Sequence, residues 1–509
     1  MLKWVSAAGA RARMKSTAMR ARMDRAALSR RTGRIRLFAA VGLMLVAGLV
    51  VAFAAYGLLR WITPVDKAKA AAEIDVTRMA LTVVAGVGGV VALVIAYRRQ
   101  RDLEQGRFVE RFGAAAAQLG ATDVAVRIAG VYAMAGAADE SEGLRRQQCI
   151  DVLCGYLRLP YDAEHGASGR TKFVVKAPRV EHGRVRGETE EHIEYRQNDS
   201  EVRKTIVRVI ADRLRPEAEY SWSASDFDFR TAHLEDADLS RAAFSGAARF
   251  AETTFTGAAT FEGATFTRSA IFEDATFTGF TTFDEATFTS AANFSKATFT
   301  RVVSFDGVTF NGDAIFDKVA FTSSATFNKA TFTADATFEG STFTGLSVFQ
   351  GATFSDATFD RATFSDGWFT KVIFTGDARF EEATFIGFAK FDRTTFTGDA
   401  TFDEATFTSF AKFDEATFTG NVTFHDATFT TNATFEEATF AGISSFVAAD
   451  FGSGRIAFTR PRQWGPPPPV FDWGDDGVGK PNNVEPRIWP PVASTMNSPR
   501  VCDRTAVEN

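Results

Sequence analysis

The chain is poor in the residues that build metal and redox sites. Its 509 residues include only three cysteines and five histidines. Cys149 and Cys154 lie five apart, outside the two-to-four spacing of a zinc knuckle, and Cys502 stands far from both. An odd count with no framework predicts reduced thiols rather than disulfides. His165, His182, His192, His233 and His425 are scattered and form no ligand set. No GxxxxGK[ST], GxGxxG, GxSxG or HExxH signature occurs. No cofactor, metal or catalytic residue is therefore assigned, and the expectation is a protein that is not an enzyme.

Long charge-free runs are confined to the N-terminal fifth of the chain. Leu37 to Leu59 holds 23 residues without a charge, and Met79 to Tyr97 holds 19 more. Each is long enough to span a hydrocarbon core of about 30 Å as a helix. Small residues four apart, Gly48 with Ala52 and Ala85 with Gly89, would let the two helices pack closely. Residues 1–36 carry 11 Lys or Arg against one acid, and Tyr97 is followed by Arg98, Arg99 and Arg101. The loop 60–78 is mixed, with Arg60, Lys67, Lys69 and Arg78 against Asp66, Glu73 and Asp75. The positive-inside rule then places the loop outside and both termini in the cytoplasm of a multi-pass plasma (inner) membrane protein. A signal peptide cleaved near Ala52-Phe53-Ala54 is the alternative. The basic leader and the apolar run are too long for it, and a second span follows.

Residues 98–222 read as a small all-α region. Val124, Ile128, Val131, Tyr132 and Met134 make a helical stripe after Thr122 or Asp123, either of which can cap it. Leu144, Cys149, Ile150, Val152, Leu153, Tyr156 and Leu157 make another, so both cysteines look like small core residues. Tyr161 to Asp199 is charged and irregular, and reads as a loop. Ser200 to Leu214 reads as a capped amphipathic helix with Val202, Ile206, Val209, Ile210 and Leu214 on one side.

What the chain has in excess is phenylalanine, 51 of them. From Phe229 to Phe451 a large apolar residue recurs at steps of five, then alternately six and five, with a small residue, usually alanine, two positions before. Ala259/Phe261, Ala264/Phe266 and Ala270/Phe272 set the pattern. Residues two apart point the same way on a strand, and the outward residue between them is most often threonine. Eleven residues is also the period of a right-handed coiled coil, but Thr and Phe are weak helix formers and glycine is frequent. Short strands joined by tight corners fit better. Between Phe349 and Phe374 the steps are five fives in a row, so two corners have lost one residue each, and the alternation resumes in phase at Phe380.

These tandem Ala-x-[Leu/Phe]-x-x units, plainest in Ala232 to Ala247, resemble the pentapeptide-repeat family. The resemblance implies a right-handed quadrilateral β-helix over 223–460, four units per coil, with the large residue and the small one before it facing inward. The inward stack would include Phe261, Phe266, Phe272, Phe277, Phe283, Phe288, Phe402, Phe407, Phe413 and Phe418. The six-residue unit departs from the family pattern and lengthens the coil to about 22 residues, which bears on two of the four corners. Forty-two faces make about ten coils. Basic leader, paired spans, helical region, repeats and the Pro/Trp-rich tail 461–509 together look like the membrane-anchored pentapeptide-repeat proteins of actinobacteria. The tail is expected to be partly disordered, either wrapping the end of the stack or offering a polyproline ligand.

The repeat is acidic: Asp226 to Arg460 holds 16 Lys or Arg against 32 Asp or Glu. Paired acids Asp284-Glu285, Glu381-Glu382, Asp403-Glu404, Asp414-Glu415 and Glu436-Glu437 follow inward phenylalanines, and pairs 22 apart should stack on one edge. The expected role is a rigid, non-enzymatic surface for protein–protein interaction, held at the lipid bilayer. The alternative, drawn from the family resemblance, is a DNA-mimicking regulator that offers its acidic edges to a topoisomerase or another nucleic-acid-binding protein. An unidentified protein partner and self-association stay open; direct nucleic-acid binding is not expected.

Overall fold

A computed structural model of the chain describes residues 70–161, 172–181, 184–194, 198–474 and 476–493, with isolated positions between 46 and 61. The chain divides into two compact units, Met1–Val109 and Glu110–Asn509. Most of the predicted first span, 37–59, and positions 60 and 62–69 of the loop after it lie outside the described residues. The second span does not end at Tyr97: one helix, α1, runs Ala70–Leu119 without a break. Among the described residues no helix is long and apolar enough to cross a membrane, so the predicted hairpin of two spans is not seen.

After α1 come α2 (Val124–Asp139) and α3 (Leu144–Leu157). Asp123 caps α2, its carboxylate accepting the N–H groups of Ala125 at 2.7 Å and Val126 at 3.3 Å. The stretch expected to be a loop is instead a two-stranded antiparallel ladder, β1 (Lys172–Glu181) and β2 (Arg184–Glu194), with Phe173 opposite Ile193 and Val175 opposite Glu191. Charge hid it: the alternation that marks a strand is diluted by eight Lys, Arg or Glu residues in β2 and its partner's ends. Helix α4 (Asp199–Leu214) follows. Ser200 does not cap it. It sits in the first turn and donates its hydroxyl to Glu235, which ties the helix to the first coil of the repeat.

The rest is a parallel β-solenoid. A representative coil runs Ala270–Ile271, Thr276–Phe277, Thr281–Thr282 and Thr287–Phe288, four short strands that define faces 1 to 4. Each pairs in parallel with the strand one coil on: Thr287 with Thr309, Ala292 with Ala314, Thr298 with Ala320. Faces 1 and 4 are ladders of 11 strands. Faces 2 and 3 merge into one sheet because four strands, such as Thr342–Val348 and Thr363–Trp368, continue round the corner between them. Face 1 reaches eleven between Phe227–Asp228 and Ser444–Ser445, and face 4 reaches it because the tail adds a strand: Gln463–Trp464 pairs with Thr439–Phe440. In the stretch of fives the register holds: Thr353 meets Ile373, 20 residues on, while Thr331 meets Thr353, 22 on. Removing corner residues leaves the ladders intact because only the strands are paired.

The core is phenylalanine against phenylalanine. Rings one coil apart are stacked, Phe261 on Phe283 at 4.7 Å and 3°, Phe272 on Phe294 at 4.7 Å and 1°. Rings of faces 1 and 3 meet across the axis edge to face, Phe272 to Phe283 at 5.5 Å and 86°. Both arrangements suit the ring quadrupole, and such pairs contribute about 0.5–1.5 kcal/mol each beyond area burial. Where a hydroxyl replaces the inward alanine it is satisfied by a carbonyl: Thr394 Oγ1 donates to Phe369 O at 2.6 Å.

Both ends are covered. At the first, Trp222 is fully buried and donates its indole N–H to Asp139 at 2.9 Å, and Arg213 holds the same carboxylate at 2.7 Å. Beneath it lies a buried network absent from the sequence reading. Arg127 and Tyr156 both donate to Asp199 Oδ1 at 2.6 Å, and Arg203 donates to Oδ2 at 2.8 Å. At the far end, Phe471 stacks on Phe446 at 4.9 Å, Trp473 on Phe471 at 4.6 Å, and Trp489 stands edge-on to Phe471 at 5.2 Å. The tail up to residue 493 is thus part of the solenoid's closing lid.

Phe327 stacks between Phe305 and Phe349, each 4.8 Å away. Phe327→Ala should cost about 3–5 kcal/mol in chemical denaturation, and Phe327→Asp should break the cooperative transition. An unchanged midpoint in both variants would contradict the stacked core.

Candidate interaction surface

The four corners are not alike. After faces 1 and 3 the chain turns in two residues. Ala286 N–H donates to Phe283 O at 3.0 Å, closing a four-residue turn around Asp284 and Glu285. Glu285 has φ +58°, and the same left-handed position is taken by Glu382, Glu404, Glu415 and Glu437. That conformation costs an L-residue roughly 1–2 kcal/mol, and Gly307 and Gly340 relieve it on other coils. Turn residues at these positions project outward, which is why the acids fall there. After faces 2 and 4 the corner takes three residues, as in Thr278-Gly279-Phe280 and Thr289-Ser290-Ala291. The six-residue unit is this wider corner.

The ten predicted inward phenylalanines occupy all four columns, each with no exposed surface: Phe272 and Phe402 on face 1, Phe277 and Phe407 on face 2, Phe261, Phe283 and Phe413 on face 3, and Phe266, Phe288 and Phe418 on face 4. The five acid pairs divide between two edges, with pairs 22 residues apart on the same one. Glu381-Glu382 and Asp403-Glu404 lie on the first corner; Asp284-Glu285, Asp414-Glu415 and Glu436-Glu437 lie on the third, diagonally opposite. Cations interleave them, Lys318 and Arg361 on the first corner, Lys329, Lys371 and Arg393 on the third.

Much of this acid is engaged within the fold. Asp284, Asp403 and Asp414 accept the N–H of the residue one coil on, from Asp306 at 2.9 Å, His425 at 2.9 Å and Glu436 at 3.0 Å. Glu381 meets Arg379 at 2.8 Å, and Glu382 meets Arg361 at 3.9 Å. Arg462, from the tail, straddles two coils, 2.7 Å from Glu415 and 3.2 Å from Glu437. Glu436 meets Arg460 at 3.4 Å. Among the described residues Glu285 and Glu404 stand in no ion pair.

Two outward rows escaped the sequence reading, which sought acids in pairs. The fourth corner carries single aspartates on five consecutive coils: Asp313, Asp335, Asp356, Asp377 and Asp399, all exposed. Their signal was the phrase Gly-Asp-Ala-x-Phe, repeated at Asp313, Asp377 and Asp399. The second corner carries Phe280, Leu346, Phe388 and Phe410, and next to it face 3 presents Trp368, Lys390 and Lys412 in ladder register.

The family model described as pentapeptide repeats (9 copies) matches residues 229–276, 261–309, 305–349, 338–384, 349–395 and 391–439. The solenoid is a pentapeptide-repeat domain. Neither the curated proteins nor the solved structures yield a match to the chain. The pentapeptide-repeat domain leaves the cysteines aside. Cys149 and Cys154 are free and buried among the helices before it. Burial pushes the Cys149 thiol up to about 11 and the Cys154 thiol up to about 12, which makes both poor nucleophiles at neutral pH. Cys502 lies outside the described residues.

Arg462, and after it Arg393, hold the Glu415 carboxyl below the ordinary carboxylate range. A lowered value stabilises the folded state above the ordinary carboxylate pKa of about 4.3, and that contribution is lost as pH falls through the folded value. Arg462→Ala should move the Glu415 titration upward, read by carboxyl-carbon NMR. A titration that does not move would mean that the tail arginine is not engaged in solution.

Proposed function

We propose that this chain is a non-enzymatic, membrane-anchored scaffold whose pentapeptide-repeat solenoid displays outward rows of side chains to protein partners. One observation carries the reading. The solenoid's interior is taken up by phenylalanine and small residues, while its chemistry is offered outward at corners and faces, repeated once per coil. A surface of that kind suits an elongated partner that contacts several coils at once. The interleaved cations at the tight corners, and Arg462 across Glu415 and Glu437, argue against a continuous phosphate-like edge.

Membrane attachment is supported by the charge-free runs 37–59 and 79–97 between arginine-rich flanks. It is also supported by the side chains of Val90, Leu93, Val94, Ile95 and Tyr97, which are apolar yet exposed along α1. In this reading the protein sits in the plasma (inner) membrane with both termini cytoplasmic, and the basic leader adds attraction to anionic headgroups.

Fractionation tests the anchor. The full chain should sediment with membranes and resist alkaline carbonate, and removal of 37–97 should release it to the soluble fraction. A full chain that appears in the soluble fraction, or that carbonate strips, would refute the anchor and leave the interaction surface to stand separately.

A further inference from the structure

Two outward rows of the solenoid are left unbalanced, on diagonally opposite corners. On the fourth corner, Asp313, Asp335, Asp356, Asp377 and Asp399 follow one another coil by coil. Among the described residues none of the five is in an ion pair. Arg379, two residues from Asp377, is taken by Asp360 at 3.0 Å and Glu381 at 2.8 Å. Backbone N–H groups use one oxygen of some: Asp377 N–H donates to Asp356 at 2.8 Å and Asp399 N–H to Asp377 at 3.0 Å. Asn421 covers both oxygens of Asp399, its N–H donating to Oδ1 at 2.9 Å and its Nδ2 to Oδ2 at 3.3 Å, while the second oxygens of Asp356 and Asp377 take no hydrogen bond among the described residues.

Across the rod, the second corner and face 3 carry the opposite character. Ile386 and Phe388 are 53 % and 48 % exposed, and Phe388 meets Phe410 edge to face at 6.4 Å. Lys390 lies with Nζ 3.7 Å from the centre of the Trp368 ring and 5.9 Å from that of Phe388. Among the described residues it has no carboxylate partner. Lys412, one coil on, has only the long contact to Asp414 at 3.7 Å. An ammonium held over an indole by cation–π attraction is poorly matched to bulk water beside exposed aromatic rings, and a carboxylate from outside would complete it.

We infer that the aromatic–lysine edge of one copy of this chain docks on the aspartate row of a second copy, the two solenoids lying side by side. The argument is one of pitch as well as charge. The rows lie on different ladders of one solenoid, whose coils advance together, so both repeat at the strand spacing of about 4.8 Å. Once Lys390 meets one aspartate, Lys412 stands opposite the next. A partner without this repeat would match one charge and miss its neighbour. Shape agrees: beside the aspartates the chain has Ala334, Gly376 and Gly398. A Cβ on Gly376 would lie 2.0 Å from Asp356 Oδ1, and one on Gly398 2.4 Å from the Gly376 carbonyl carbon. The edge is low there, and Ile373, 43 % exposed, adjoins it as an apolar seat for Phe388 or Phe410. The two surfaces differ and lie diagonally opposite, so the contact is heterologous. A docked pair still offers one free surface of each kind, one on each copy, and rows of copies extend without closing.

The inference goes beyond the scaffold reading and holds with or without a membrane anchor. Charge reversal tests it on the purified full chain in mild detergent, by sedimentation velocity across a concentration series. The unaltered chain should associate at low salt and disperse as salt rises, since exposed pairs are screened. Lys390→Glu with Lys412→Glu, and separately Asp377→Lys with Asp399→Lys, should each weaken association roughly tenfold or more. An equimolar mixture of the two variants should restore it, because each then presents the complement of the other. The apolar N-terminal segments are common to all samples and cannot produce that pattern. A dispersed unaltered chain, association that persists in both variants, or a mixture that stays dispersed would each overturn the inference.

Discussion

Everything in the solenoid follows from one match of lengths. Parallel strands hydrogen-bonded in register sit about 4.8 Å apart. A phenylalanine repeated at the same ladder position must then stack on its neighbour at that separation. The rings oblige: Phe283 lies 4.9 Å from Phe305, and Phe413 lies 4.8 Å from Phe435. The backbone ladder and the ring column are the same repeat measured twice, and neither strains the other. Any residue that cannot stack at this pitch is excluded from the inward positions, which is why the interior vocabulary is so small.

The same pitch acts on the outside, where its effect is less benign. Any outward residue type retained from coil to coil becomes a row, and a row of like charges about 5 Å apart is self-repelling by about 1 kcal/mol per contact even in water. The tight corners handle this by alternation. Lys296, Lys318 and Arg361 break the acids of one edge, and Lys329, Lys371 and Arg393 those of the other. Backbone N–H groups absorb further carboxylate oxygens, as at Asp284 and Asp403. The fourth corner has only the second device. Asp356, Asp377 and Asp399 accept N–H groups along the column, but none of its aspartates is neutralised, and this distinguishes it from the other acidic edges.

Legibility tracked periodicity. The solenoid's inward residues and the resumption of phase after Phe374 could be read because each position is stated many times, whereas its far limit could not, since strands of the tail continue the ladders past 460. The alternating step of six and five turned out to be the difference between a two-residue and a three-residue corner, which the sequence contains but does not explain without the hydrogen bond from Ala286 to Phe283. What was stated once could not be read. Arg127 and Arg203 look like solvated charges on amphipathic helices, yet they lie buried around Asp199. The strands Lys172–Glu181 and Arg184–Glu194 were hidden by their charges, and the tail could be read as wrapping the end of the stack but not for the ring contacts by which it does so. The aspartate row was legible in principle. It was missed because acids were sought in pairs along the chain, whereas a solenoid assembles its surfaces across coils.

The two ends show why a repeat needs non-repetitive neighbours. A terminal coil leaves one side of every ring in four columns uncovered, together with a rung of unpaired backbone groups. At the first end the cover is Trp222 and helices locked by a buried arginine–aspartate network. Such a network adds little stability over an apolar equivalent, but breaking it costs several kcal/mol, so it holds the three helices in one arrangement relative to each other. At the far end the cover is aromatic: Trp464, Phe471, Trp473 and Trp489 meet one another and the last phenylalanines through stacked and edge-on contacts. Indoles are larger than phenyl rings, so each spans more than one column where the next coil is missing. Continuing the repeat would only have moved the exposed face along the axis; the change of residue type is what lets the ladder stop.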